Sequence, residues 1–349
     1  NEIDVTIMVN KSRKTYVNRI VIQGNNRTKD DVIRREMKFN EGDSFSNSKL
    51  KRSEQRIRNL GFFETVDSDN VQTKKNDRTN IVVKVKEKQT GKFSVGGGFS
   101  NTNGALANVG IEERNFLGKG QDVQLKFTVA ERQTQLDFGF TEPYFKGKDI
   151  ALGLDLFKTK TTYADESSFD NDTSGGGFRL GYMLTERTRH SWNYIYKGET
   201  IEGVKDGASE FITNQKGDYT TSAVSHSLIY FGLNDRLNPT KGTRLRISNK
   251  LAGLGGNVSF FKSDIEHSMF YSVTDDYVLS GRFKAGYIFG YNDKKVKLKD
   301  RYFLGGDTFP GFEVAGIGPR DTTVANKDAL GSNMVYTFRT ELRVPIPGI

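Results

Sequence analysis

From Phe93 to the C-terminus, apolar and polar residues alternate with period two, the pattern of strands that bury or expose one face. Val123, Leu125, Phe127 and Val129 share one side, and Gln124, Lys126 and Thr128 the other. The pattern recurs in Ile150, Leu152, Leu154 and Leu156, in Phe178, Leu180, Tyr182 and Leu184, and in Trp192, Tyr194 and Tyr196. The longest apolar row is Tyr277, Leu279, Phe283, Ala285, Tyr287, Phe289 and Tyr291, opposite Ser280, Arg282, Lys284 and Gly286. A last strand sets Met334, Tyr336, Phe338 and Leu342 against Val335, Thr337, Arg339, Glu341 and Arg343. Turn signals divide the whole stretch into about twelve strands.

Residues 12–90 follow a different pattern. TYVNRIVIQGN alternates at Val17, Ile20 and Ile22 and stops at Gly24-Asn25, a turn signal. Thr28 is expected to cap a helix over KDDVIRREM, with Asp30 and Asp31 in the first turn, where the helix dipole favours them. FSNSKLKRSEQRIRNLG predicts a second helix with Leu50, Ile57 and Leu60 on one face and Gly61 at C′. FFETVDSDNV and TNIVVKVKEK predict two strands. The β-α-α-β-β order predicts a mixed three-stranded sheet with two helices on one face. An exposed edge of that sheet would be a template for an added strand. The opening NEIDVTIMVN also alternates, so the chain is expected to begin inside a structure, as an excised or mature piece, with no targeting segment to read.

In a soluble sandwich the apolar side of each strand faces a core. In an outer-membrane barrel it faces lipid, and the polar side faces a wet lumen. Three features favour the barrel. The strands are about ten residues or longer, enough for a tilted membrane crossing. Tyr144-Phe145, Trp192 and Tyr271 lie near strand ends, like interfacial girdles. Connections alternate between short ones (117–120, 142–149, 185–189, 234–242 and 273–276) and longer ones (159–175, 198–217 and 292–331). A soluble multi-stranded barrel is the plain alternative reading of the same period-two alternation.

Composition narrows the classes further. Hydrophobic content is 35% and mean hydropathy is −0.59, and no apolar run reaches the roughly 20 residues of a membrane helix. Net charge is +9, but Lys and Arg are interleaved with Asp and Glu, without the clustered footprint of a nucleic-acid binder. There are no cysteines, so disulfides and thiolate metal sites are excluded. His190, His226 and His267 fall on separate strands with no metal or catalytic spacing, and Glu112-Glu113 point to opposite faces of a strand. Gly96-Gly97-Gly98 lacks the context of a phosphate loop and reads as a weak strand. No catalytic residue, metal site or cofactor is expected. LGGDTFPGFEVAGIGPRD sits in a long connection with too many apolar groups for a solvated linker.

Several motifs in order carry a family resemblance. VNRIVIQGNNRTKDDVIRREM and LKRSEQRIRNLGFFETVD resemble a POTRA domain, and VKEKQTGKFSVGGGFSNTNG resembles the passage from a last POTRA domain into a first barrel strand. NFLGKGQDVQL, TEPYF, NPTKGTRLRI and GGDTFPGF followed by GIGPRD resemble barrel motifs of the outer-membrane β-barrel assembly family. The resemblance implies an all-β transmembrane antiparallel barrel, preceded by an α/β POTRA domain over 12–90, with 1–11 closing an earlier POTRA domain. The barrel would occupy 91–349, without the last four of the family's sixteen strands.

The implied function is assembly and insertion of β-barrel proteins into the bacterial outer membrane, with the POTRA domain in the periplasm. A two-partner secretion pore of the same plan is the alternative. Implied partners are unfolded outer-membrane proteins, assembly lipoproteins and the lipid bilayer, with no nucleic acid. Phe93, Val95, Gly96, Gly97, Gly98 and Phe99 would form a lateral-gate strand. Gly305, Gly306, Phe309, Pro310, Gly311, Phe312, Arg320 and Asp321 would form a loop folded into the lumen, held mainly by Phe309, Phe312 and backbone hydrogen bonds. Pro310 stands where the family loop carries an Arg that pairs with a lumen carboxylate, here Glu341. Arg339 and Arg343, two residues from Glu341 on the same face, are its plain candidate partners, and Arg320 is the candidate that would restore a link from the loop.

Overall fold

A computed structural model describes residues 14–75, 77–163, 165–274 and 276–344. The strand expected within 1–11 lies outside these residues. The chain divides into two units, residues 1–91 with 113–122, and residues 92–112 with 123–349.

The first unit contains β1 (Tyr16–Gln23), α1 (Asp30–Arg34), α2 (Asn47–Asn59), β2 (Phe63–Gln72) and β3 (Arg78–Glu87). The sheet order is β1-β3-β2, with β1 parallel and β2 antiparallel to the central β3. Ile81, Val83 and Val85 of β3 meet Val32 and Ile33 of α1 and Leu50 and Ile57 of α2 in one core. Leu50, Ser53 and Ile57 are the buried positions of α2, spaced as one helical face requires. Leu60 packs against the same core, and Gly61 takes φ +74° at the helix end, where a Cβ would be strained.

Thr28 does not cap α1. The N-cap position is Lys29, which makes no side-chain cap bond. Instead, Glu87 at the end of β3 accepts the amides of Asn26 (3.1 Å), Arg27 (2.9 Å) and Thr28 (2.6 Å). The Thr28 hydroxyl accepts from Asn115 Nδ2 at 2.9 Å, which commits it elsewhere. Burial works to raise the Glu87 pKa, but the hydrogen bonds from Thr28, Arg27 and Asn26 outweigh it and hold the carboxyl below the usual range.

The second sheet has twelve strands: β4 (Gly91–Ser100), β5 (Gly104–Phe116), β6 (Gln121–Ala130), β7 (Gln133–Glu142), β8 (Ile150–Thr162), β9 (Asp170–Thr185), β10 (Thr188–Glu202), β11 (Gly217–Leu233), β12 (Gly242–Gly256), β13 (Phe260–Ser272), β14 (Val278–Gly290) and β15 (Met334–Arg343). A short helix, α3 (Glu210–Thr213), interrupts the connection after β10. Each strand neighbours its sequence neighbours, and among the described residues β4 and β15 are the two outer strands.

Register keeps the two faces consistent. Asp264 opposes Gly286, Phe283 opposes Phe338, and Ser280 opposes Glu341. Leu125, Phe127, Leu279, Phe283, Tyr287, Tyr336, Phe338 and Leu342 are exposed, as a lipid-facing surface requires, whereas Val123 is only partly so. In β14 and β15, Arg282, Lys284, Arg339, Glu341 and Arg343 lie on the other face.

Candidate functional site

The first element of the candidate site is β4, which among the described residues is an outer strand paired with β5. Phe93, Val95 and Phe99 are 67%, 70% and 76% exposed. The glycines between them are not demanded by packing. A Cβ on Gly97 would meet its nearest atom, the Leu106 carbonyl oxygen, at 3.5 Å, and one on Gly98 would meet nothing within 4 Å. A Cβ on Gly96 would approach only the Asn108 side chain, at 3.3 Å. None of the three has a positive φ. The run therefore weakens an extended strand with no compensating turn.

The second element is the segment between β14 and β15. It doubles back on itself through bridges Tyr302–Ser332, Leu304–Ile317 and Arg320–Ala329. At Gly305, with φ +125°, a Cβ would lie 1.8 Å from the Glu313 oxygen, so glycine is required there. Pro310 and Gly311, the latter at φ +90°, form the corner sequence of a type II turn. Phe309 and Phe312 face each other with centroids 5.6 Å apart.

The segment lies against the polar face of the sheet. The Tyr302 hydroxyl donates to Asp264 at 2.9 Å, and Lys262 Nζ donates to the Asp300 carbonyl at 3.1 Å while lying 4.2 Å from the Tyr302 ring centroid. Asp264 and Lys262 belong to the polar row of β13. Val296 joins Ala223, Ala252, Phe260 and Ile288 in one buried cluster, and Leu298 joins Phe169, Ile201 and Ile212 in another. Asp328, 1% exposed, accepts from the Ser168 hydroxyl and the Ser209 amide, both at 2.7 Å. Asp321 accepts from the Ser209 hydroxyl at 2.6 Å. That bond comes first among those, with Thr323, that hold its carboxyl below the usual range. At the near end, Asp307 accepts from Ser100 (3.1 Å) and Thr102 (2.9 Å), tying the segment to the tip of β4.

One expectation needs correction, and one choice among candidates is resolved. Phe309 and Phe312 are not the main anchors, since Phe312 is 52% exposed and shares an open cavity of about 760 Å³ with Asn101, Arg132 and Glu166. The anchors are Val296, Leu298, Tyr302 and Asp328, which meet strands and loops that can bury them. Of the candidate partners of Glu341, Arg339 makes the pair and Arg320 does not. The Arg320 guanidinium donates to the carbonyls of Lys327 (2.9 Å) and Ala315 (3.0 Å), closing the segment on itself. Glu341 lies on the polar face, as parity requires, and pairs with Arg339 at 2.6 Å.

Sequence reasoning also missed two associations. Lys299 pairs with Glu199, which also pairs with Lys197 at 2.7 Å, all largely shielded from solvent. Nothing local foretells a contact a hundred residues long. His190 and His226, read as unrelated, meet at 3.4 Å. Their shared even parity on neighbouring strands was the available signal.

A twelve-stranded antiparallel wall with an exposed apolar face and a loop on its polar face, preceded by a β-α-α-β-β module, defines the class of POTRA-bearing outer-membrane barrels. The Omp85 superfamily domain matches residues 115–349, and a POTRA match, described as surface antigen variable number repeat, covers residues 15–88. The chain belongs to the Omp85 superfamily.

Among its relatives is outer membrane protein assembly factor BamA of Neorickettsia risticii, 34% identical over 347 residues, covering 99% of this chain and 46% of that protein. The crystal structure of BamA from Haemophilus ducreyi lacking POTRA domains 1–3 matches with TM-score 0.84 and 25% identity, covering 97% of this chain and 69% of that one. CdiB from Acinetobacter baumannii, at 13% identity and TM-score 0.57, covers 96% of this chain and 61% of its own, and shares the fold. The chain spans about half the length of the curated relatives it matches.

Proposed function

We propose that this chain is the POTRA-and-barrel portion of an assembly factor that folds and inserts β-barrel proteins into the bacterial outer membrane. In this reading residues 12–90 are a POTRA domain in the periplasm, residues 1–11 end a preceding one, and 91–349 belong to the barrel. The observation that carries it is β4: a long, apolar, glycine-weakened strand at the edge of the described sheet. Such an edge can accept a client strand by β-augmentation, main chain to main chain, whatever the client's side chains. Phe93, Val95, Gly96, Gly97, Gly98 and Phe99 form this gate strand, and the infolded loop steadies its tip through Asp307.

Unfolded outer-membrane proteins are the clients, the bilayer is the solvent for the apolar face, and outer-membrane assembly lipoproteins are the accessory partners. A secretion pore would need an open conduit. The loop packed on the polar face, with Lys299, Val296 and Leu298 buried in it, argues against one. The test is reconstitution of the full-length protein in liposomes with a urea-denatured barrel client. Faster acquisition of protease-resistant client than in empty liposomes is expected. A large constitutive conductance with no gain in client folding would refute the reading in favour of a pore.

A further inference from the structure

We propose that His190 and His226 form a two-histidine binding site for a divalent cation of the zinc class on the outward face of β10 and β11. The separation carries the proposal. His190 Nε2 and His226 Nδ1 are 3.4 Å apart. That is long for a hydrogen bond from a ring N–H, whose heavy-atom separations centre near about 2.9–3.0 Å. Two imidazole nitrogens, each about 2.05 Å from one tetrahedral zinc ion, lie about 3.3 Å apart.

The remaining ring nitrogens are held as a metal site needs. His190 Nδ1 is 2.9 Å from the Tyr182 hydroxyl, and His226 Nε2 is 3.0 Å from the Asn249 side-chain amide. With the metal on Nε2, His190 carries its proton on Nδ1 and donates it to the Tyr182 oxygen. With the metal on Nδ1, His226 carries its proton on Nε2. The Asn249 amide accepts that proton through Oδ1 after exchanging the positions of its oxygen and nitrogen, which have nearly the same shape. Hydrogen-bonded partners of this kind fix ligand tautomer and ring orientation. Trp192 packs against both rings, with centroids 5.3 Å from His190 and 5.1 Å from His226.

The scaffold is rigid. Tyr182 directly opposes His190, Trp192 opposes His226, and His226 opposes Asn249, so the set spans four paired strands. Its position suits a cation. His190 is two residues into β10, about 7 Å along the strand from the preceding turn. With Trp192 and Tyr182 it sits in the interfacial girdle, where water reaches the open coordination positions. No set of three or more His, Cys, Asp or Glu ligands exists among the described residues, so solvent completes the shell and the affinity is moderate.

The chain has only three histidines and no cysteine, which keeps background binding low. The test uses the full-length protein, folded in detergent without a polyhistidine tag, titrated with Zn²⁺ by calorimetry and with Co²⁺ by visible absorption. One Zn²⁺ per chain, with Kd in the range of about 1–100 μM, is expected, together with a tetrahedral Co²⁺ spectrum. H190Q and H226Q should each weaken binding at least about tenfold, Y182F by less than either, and H267Q should leave it unchanged. Heat-modifiable mobility confirms that each variant is folded. If a histidine variant fails to fold, the wild-type Co²⁺ spectrum decides, because an octahedral spectrum overturns the site. Absence of saturation by about 1 mM Zn²⁺, or undiminished binding by a folded H190Q/H226Q double variant, also overturns it.

Discussion

Replacing Glu199 and Lys299 by alanine, one at a time, should loosen the loop between β14 and β15 to unequal degrees. Glu199 is the hub: it pairs with Lys299 and with Lys197 at 2.7 Å, and accepts from the Thr221 hydroxyl at 3.2 Å. Its side chain is 3% exposed and that of Lys299 6%, so neither has access to bulk water. Removing Glu199 leaves Lys299 buried without its ion-pair partner, which costs about 3–5 kcal/mol. Removing Lys299 leaves Glu199 with Lys197 and Thr221, so only one charge-assisted contact is lost, about 1.5–3 kcal/mol. The assay is cleavage of the loop in the folded protein by a protease with broad specificity, in the regime where the rate follows the open population. Each 1.4 kcal/mol is about a factor of ten, so from the middle of the two ranges E199A should be cut on the order of tenfold faster than K299A, and K299A faster than wild type. Equal rates, or faster cleavage of K299A, would refute the hub assignment.

Four further outcomes are expected. E87Q should lower the stability of the N-terminal unit at neutral pH by on the order of 1–2 kcal/mol, since a carboxylate accepting three amides is replaced by a neutral amide. Because Glu87 has a lowered folded pKa, its contribution is present above the unfolded value near about 4.3 and is lost as pH falls through the folded one; the wild-type and E87Q melting temperatures should converge in acid. G97A/G98A should strengthen β4 pairing by about 0.5–1 kcal/mol per site, raise amide-exchange protection there and slow client insertion; unchanged protection would contradict the strand-weakening role. Phe338→Arg, at a 69% exposed position mid-way along β15, should cost about 2–4 kcal/mol in a bilayer-folded protein, and a neutral effect on urea unfolding would contradict the lipid-facing assignment. D307A should raise exchange at Ser100–Thr102 without loosening Val296 or Leu298, and a loop that loosens throughout would show that Asp307 is a general anchor.

The strand count and the face of each strand were legible because period-two alternation is a local property, and one face is lined with Leu, Phe and Tyr while the other carries Arg and Lys. Glu341 was placed by parity alone. The second helix of the N-terminal unit was legible for the same reason, with Leu50, Ile57 and Gly61 at helical spacing. What was not legible depended on distance. Thr28 carries the right side chain for a cap, but Glu87, from a strand 59 residues away, takes the amides instead. Parity put Arg339 beside Glu341, where it pairs, whereas Arg320, a candidate by charge from the loop, is held by two carbonyls of its own loop. The phenylalanines of the loop looked like anchors because they are large. The residues that anchor it, Val296 and Leu298, flank Lys297 in a stretch that reads as a polar linker.

These outcomes share a physical asymmetry along the sheet. Among the described residues, no apolar side chain between Val85 and Phe169 is buried, so β4 through β8 are held chiefly by backbone pairing. From β9 to β14 the wall is braced from its polar side by two buried clusters and by the ion pairs around Glu199. Local opening follows the weakest packing. The strand with three glycines and no inner core is therefore the first to separate, while the braced half keeps its register. An insertase that adds client strands at one edge needs that combination: an edge weak enough to exchange partners, attached to a wall that does not unfold when it does.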